Sequence, residues 1–147
     1  MENAHQMNFS FKAFADEFRD TCQIWREYFS QQLVASGQTI TKARALIYLA
    51  ESPKQLTQRE LAELLSIEEA SVVRMIDGLE KEGLVERKPV YTDKRSKHVM
   101  LTAAAIPVIA QIQTIADEVR AQALLGIPDE KLAVACEVFR MISMNVS

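Results

Sequence analysis

The sequence predicts a mainly α chain of the α+β class, on three observations. Residues 10 to about 36 and 103 to about 143 carry apolar side chains at steps of three and four, the spacing of a single helix face. Between them lie two short helical stretches, parted by a tight Ser66-Ile67 break and closed by Gly83. Two alternating segments follow, with positive charge concentrated between them. Helix, tight break, helix and basic hairpin, in that order, spell a winged helix-turn-helix flanked by long terminal helices.

Each element has a chemical cause. The first helix shows Phe11, Phe14, Phe18, Cys22, Trp25, Phe29 and Leu33 along one seam, with Ser10 as its N-cap and Gly37 just past its end. A seam this long and aromatic exceeds what a small DNA-binding unit needs to cover. The second helix is expected to run through about Glu51, capped by Thr41 with Ile40 stapled on Ala45, burying Ala45, Leu46, Leu49 and Ala50. Ser52-Pro53 ends it. Thr57-Gln58-Arg59-Glu60 is a capping box opening the third helix, whose apolar stripe is Leu61, Ala62, Leu64 and Leu65.

The fourth helix, about residues 69–82, turns Val72, Ile76 and Leu79 inward. Its other side starts with Ala70, Ser71 and Arg74, small residues flanking one long cation, which suits close approach to base edges in a major groove about 12 Å wide. Residues 84–90 and 97–102 alternate as strands joined by a polar loop over 91–96, and Pro89 confines its strand to an edge. Thr102 is expected to cap a long helix to about Leu125, with Val108, Ile112, Ile115 and Val119 in line and Pro107 near the start. Gly126 and Pro128 stop it, and a last helix shows Leu132, Ala135, Cys136, Phe139 and Ile142 on one side.

Charge points the same way. The 147-residue chain has a net charge of -3, yet over residues 87–97 Arg87, Lys88, Lys94, Arg95 and Lys97 stand against Asp93 alone. An acidic body with one basic hairpin makes a directional field, and the footprint counts for more than the total. Lys88, Lys94 and Lys97 suit non-specific phosphate contact. No apolar run approaches a membrane span, and the first residues lack a secretory signal, so a cytoplasmic protein with no membrane partner is expected.

With these elements in this order, the chain resembles the MarR family of transcription regulators, nearest its SlyA-like branch. The residues that carry the resemblance are 67–74 (Ile-Glu-Glu-Ala-Ser-Val-Val-Arg), 79–87 (Leu-Glu-Lys-Glu-Gly-Leu-Val-Glu-Arg), and Asp93-Lys94-Arg95-Ser96 followed by Leu101-Thr102. The resemblance implies a homodimer held by the terminal helices that binds double-stranded DNA, commonly as a repressor. It divides the chain into residues 1–36 (N-terminal dimerisation helix), 37–102 (winged helix-turn-helix) and 103–147 (C-terminal dimerisation helices). It implies that Ser71 and Arg74 approach the major groove, that Arg95 enters the minor groove with Asp93 orienting it, and that Gln58 touches phosphate. It also implies a small aromatic carboxylate as effector, near Trp25, Arg26 and Arg44, because Ile24-Trp25-Arg26 matches a motif of that branch. Gln23 stands where the motif has an arginine. The alternative is that Trp25 is core and both arginines make surface or dimer ion pairs.

Two rival functions have the same fold. A thiol-based redox regulator would use Cys22 or Cys136, but both fall on apolar seams, where buried structural thiols are expected. A winged helix used only for protein contact would not need the basic hairpin. No nucleophile and base pair, glycine-rich phosphate loop or metal-ligand spacing is visible, and His5 and His98 stand isolated. Neither an enzyme nor a cofactor is expected. The six methionines read as core filler.

Overall fold

The computed structural model describes residues 10–147; His5 and the start of the 1–36 segment lie outside them. The order is α1 (Phe11–Val34), α2 (Ile40–Glu51), β1 (Leu56–Thr57), α3 (Gln58–Leu65), α4 (Glu69–Lys81), β2 (Val85–Val90), β3 (Asp93–Leu101), α5 (Ala105–Ala123) and α6 (Asp129–Val146). The strands form one antiparallel sheet in the order β1-β3-β2, so β2, with Pro89, is an edge as expected.

One core joins the middle of the chain. Leu61 and Leu65 of α3, Val72, Ile76 and Leu79 of α4, Val85 and Val99 of the hairpin, Leu46 of α2 and Ile112 of α5 are all buried in it. Leu33, at the end of α1, is that helix's one buried residue, and α6 has none. Phe18 and Phe139 meet at 5.5 Å between ring centroids, joining α1 to α6, yet both remain substantially exposed. Phe11, Ile24, Met144 and Val146 are at least 66% exposed. The predicted seams are present as helices; that of α5 is buried at Ile109, Ile112 and Val119, whereas α1 and α6 leave much of theirs exposed. Among the described residues no helix is long and apolar enough to cross a membrane.

The ends of α4 are set by backbone chemistry. Ser66 takes the left-handed conformation (φ 55°) and turns the chain sharply between α3 and α4. At the other end Gly83, at φ 76°, sends its amide to Glu80 while the Leu84 amide reaches the Leu79 carbonyl. This is the Schellman closure, and it seats Leu84 in the core before β2 begins.

Several expectations are corrected. Thr39, not Thr41, caps α2 by accepting from the Lys42 amide, so Ile40 is the first helical residue rather than a staple. Ala43 is buried in α2, while Ala50 and Leu64 are exposed. Thr102 does not cap α5; its hydroxyl donates to the Gly83 carbonyl and its amide to Leu84, tying the hairpin's base together. The helix has 19 residues, about 28 Å, and Pro107 falls in its first turn, where no donor is needed. Strand β1 has no signal in the periodicity; Leu56 and Thr57 pair with Val99 and His98. The polar segment 93–96 belongs to β3, leaving Tyr91-Thr92 as the turn.

The capping box of α3 is complete. Thr57 Oγ1 accepts from the Glu60 amide at 3.1 Å, and Glu60 Oε2 accepts from the Thr57 amide at 2.9 Å. Lys54 donates to the other Glu60 oxygen at 2.6 Å, and this bond, followed by the Thr57 amide, holds the Glu60 carboxyl below the usual carboxylate range. Thr57→Ala is expected to cost about 1 kcal/mol in urea unfolding. Glu60→Gln keeps the capping geometry and removes the charge. A lowered folded pKa makes the carboxylate's contribution complete above the unfolded value and lost as pH falls through the folded one. The stability gap between parent and Glu60→Gln should therefore be widest near neutrality and close on acidification; a gap that widens in acid would contradict this.

Candidate nucleic-acid interface

Burial of Val72, Ile76 and Leu79 fixes the rotation of α4 about its axis. The side that remains presents Ala70 and Arg74, both exposed, and Ser71, half-buried. Arg74 Nη2 lies 3.3 Å from Ser71 Oγ, a hydroxyl and a guanidinium on one small patch. The ion pair of Arg74 with Asp77 that helical spacing allows is not made, because Asp77 is held by Arg87.

The wing is shaped by a bulge. Pro89 pairs with Lys97 and Val90 with Asp93, so Lys94, Arg95 and Ser96 have no partners on β2 and form the extra length of β3. Asp93 secures this bulge, but not through the guanidinium. Its Oδ1 accepts from the Arg95 amide and its Oδ2 from the Ser96 hydroxyl, each at 2.9 Å. These two bonds, the amide first, hold its carboxyl below the usual range. Asp93 thus fixes the Arg95 backbone and leaves the guanidinium free to project. Lys94 and Arg95 are both exposed at the tip.

The other predicted cations divide between two faces. By strand alternation, Lys97 shares a sheet face with Arg87 and Val99, while Lys88 lies on the opposite face with His98. They are not one cluster. Arg87 is not an outward charge at all: only 19% exposed, it is matched by Asp77 and Glu80. The outward charge of the wing comes from Lys88, Lys94, Arg95 and Lys97. Gln58 is half-buried at the start of α3, and its Oε1 accepts from Arg87 Nε at 2.7 Å. Its amide nitrogen is left to donate elsewhere.

Trp25, Arg26 and Arg44 are brought together. All three line one cavity of about 600 Å³ between α1, α2 and α6, walled mainly by Phe14, Phe18, Leu132 and Phe139. In the sequence these four walls are seam residues, and their role in a cavity depends on helix packing that periodicity does not contain. Arg44 donates to Tyr48 Oη at 3.4 Å and lies 5.7 Å from that ring's centroid. It also lines a neighbouring cavity of about 480 Å³. Arg26 has no ion-pair partner among the described residues. Both cysteines are exposed, contrary to the buried thiols expected, because the seams that carry them are uncovered; Cys22 lines the larger cavity. Among the described residues, no three His, Cys, Asp or Glu side chains converge as metal ligands.

Residues 36–96, from the end of α1 to the wing bulge, match the MarR family. The transcriptional regulator PA3341 has a similar structure, with 35% identity, 90% of this chain and 97% of that chain covered, and a TM-score of 0.80. Sco3205, a MarR family transcriptional regulator from Streptomyces coelicolor solved in complex with DNA, shares the fold at 22% identity, with coverage of 92% and 87% and a TM-score of 0.80. CouR from Rhodococcus jostii RHA1, solved bound to p-coumaroyl-CoA, shares it at 19% identity, with coverage of 88% and 91% and a TM-score of 0.73. With a regulator of 35% identity matched along nearly its whole length, and the family's own pattern running from the end of α1 into the wing, this chain belongs to the MarR family.

Proposed function

We propose that the protein is a sequence-specific, double-stranded-DNA-binding transcription regulator acting as a homodimer on a pseudo-palindromic operator, with repression by exclusion of polymerase as its effect. One observation carries this reading: the slim, exposed start of α4 and the cationic bulge of the wing belong to one packed unit. Residues 37–102 would read DNA, with Ala70, Ser71 and Arg74 in the major groove and Arg95 in the minor groove. Gln58, Lys88, Lys94 and Lys97 would meet phosphates, and Asp93 would hold the bulge in shape. Sco3205, a MarR regulator solved in complex with DNA, supports the same use of this fold.

Residues 1–36 and 103–147 would form the dimer. The support is the exposed apolar surface of α1 and α6, more than a monomer ordinarily leaves bare. Such a dimer would set two copies of α4 in successive major grooves about 34 to 36 Å apart. A soluble regulator of this kind works in the cytoplasm, beside the chromosome.

The cavity that holds Trp25, Arg26 and Arg44 suits a small aromatic carboxylate: apolar walls for a ring and two guanidinium groups for a carboxylate. CouR, bound to an aromatic acyl-CoA, supports effector binding on this fold. Ile24-Trp25-Arg26 supports a place nearest the SlyA-like branch, with Gln23 the departure. A ligand favouring a different spacing of the two reading heads would release DNA, with a coupling of about 1 to 3 kcal/mol.

On a duplex selected by the parent protein from a randomised library, Arg74→Ala should weaken binding by about 1 to 3 kcal/mol. Arg95→Ala should abolish tight binding with an unchanged unfolding midpoint. Each of Lys88→Ala, Lys94→Ala and Lys97→Ala should reduce the slope of log K against log salt by about one. Fluorescence anisotropy across a salt series measures all three effects, and an Arg95→Ala protein that binds as well as the parent would remove the wing from the interface.

Titration calorimetry with salicylate should give heat that is lost in Arg26→Ala, and salicylate should release the duplex. No heat and unchanged DNA affinity would return Trp25, Arg26 and Arg44 to packing and ion pairing.

A further inference from the structure

Arg87, on β2, bonds to two other elements at once. Its Nε donates to Gln58 Oε1 at 2.7 Å, and its Nη2 to the Val73 carbonyl at 2.9 Å and to Asp77 Oδ1 at 2.7 Å. Its Nη1 donates to Glu80 Oε2 at 3.2 Å. One rigid plane thus links the wing strand to the start of α3 and to two successive turns of α4. Exposed ion pairs with Asp77 and Glu80 would add little stability on their own. What the guanidinium adds is fixed direction, because its fork of donors cannot be copied by an ammonium point charge.

The hairpin needs such a brace. Its chain connection to α4 is Gly83-Leu84, and the buried Val85 and Val99, the β1 pairing at Val99 and His98 and the Thr102 bonds hold its base, while the length from Lys97 to the bulge lies beyond those anchors. Arg95 lies beyond the Pro89 and Lys97 pair, so a small pivot at the base becomes a large swing at the bulge. Arg87 grips the middle of α4 from the strand between these two points.

We infer that Arg87 is a positioning residue that locks the wing to α4, so that Arg74 and Arg95 engage the duplex as one rigid unit, and that it turns the Gln58 amide nitrogen outward. This rests on the DNA-binding function proposed above. Because its charge is already matched by Asp77 and Glu80, Arg87 acts without contacting phosphate.

The test uses the full-length protein and the duplex that the parent selects. Arg87→Lys keeps the charge and loses the fork; Asp77→Asn removes one of the fork's partners and serves if Arg87→Lys does not fold. The expected result is binding about tenfold weaker with an unchanged slope of log K against log salt. In the parent, the losses from Arg74→Ala and Arg95→Ala should be coupled; with Arg87→Lys they should multiply independently. Residual dipolar couplings on the free protein should fit α4 and the β2-β3 hairpin to one alignment frame in the parent and to two in Arg87→Lys.

Unchanged affinity with retained coupling would overturn the inference. So would a salt slope lower by about one in Arg87→Gln, which lacks the charge, because that would make Arg87 a phosphate ligand. If the parent selects no duplex, the proposed DNA-binding function fails, while the dipolar couplings still decide the brace: two frames in the variant support it and a single frame overturns it.

Discussion

The rotation of α4 about its own axis is the constraint on which the rest depends. Val72, Ile76 and Leu79 are wholly buried at spacings of four and three, and a 3.6-residue period leaves no freedom once those three positions are fixed. Ala70, Ser71 and Arg74 must then face away from the core. A shift of one residue would turn each of them by about 100° and bury the cation. The flanking structure serves that orientation: Ser66 turns the chain into α4, Gly83 turns it out, and Lys42 of α2 bridges to Glu82 at its end.

The ends of the chain follow a different logic. α1 and α6 make helices from sequence periodicity, but within one chain Leu33 is the one residue of the two that is fully buried. Their exposed aromatic and aliphatic side chains are the surface that the proposed dimer would cover. The cavity holding Trp25, Arg26 and Arg44 opens at the junction between these helices and α2, next to the reading head. A ligand there would touch both the region proposed to set the dimer's spacing and the region proposed to meet DNA, which is what coupling between two sites requires.

Most helices are legible in the sequence because their causes are local. The capping box at Thr57, the buried triad of α4 and the stop at Gly83 each sit within a few residues of one another. The misreadings have non-local or degenerate causes. Thr39 and Thr41 are both hydroxyl residues at the same helix start, and only backbone conformation separates them. The bulge at residues 94–96 exists because of pairing across the hairpin, which polar residues at a tip do not reveal. Arg87 resembles the other four hairpin cations when charge is counted along the chain, while its partner Gln58 lies 29 residues away. The cysteines fall on seams correctly placed but not covered. The residues proposed to contact DNA are named by resemblance, and the structure adds where each stands on α3, α4 and the wing.

Hydroxyl-radical footprinting of the protein on its selected duplex tests the central claim most directly, since it reads the spacing of both heads at once. The expected pattern is two-fold symmetric, with two protected centres about 34 to 36 Å apart and further protection in the minor groove on each outer flank. A single unsymmetrical patch, or even protection along every duplex offered, would contradict it.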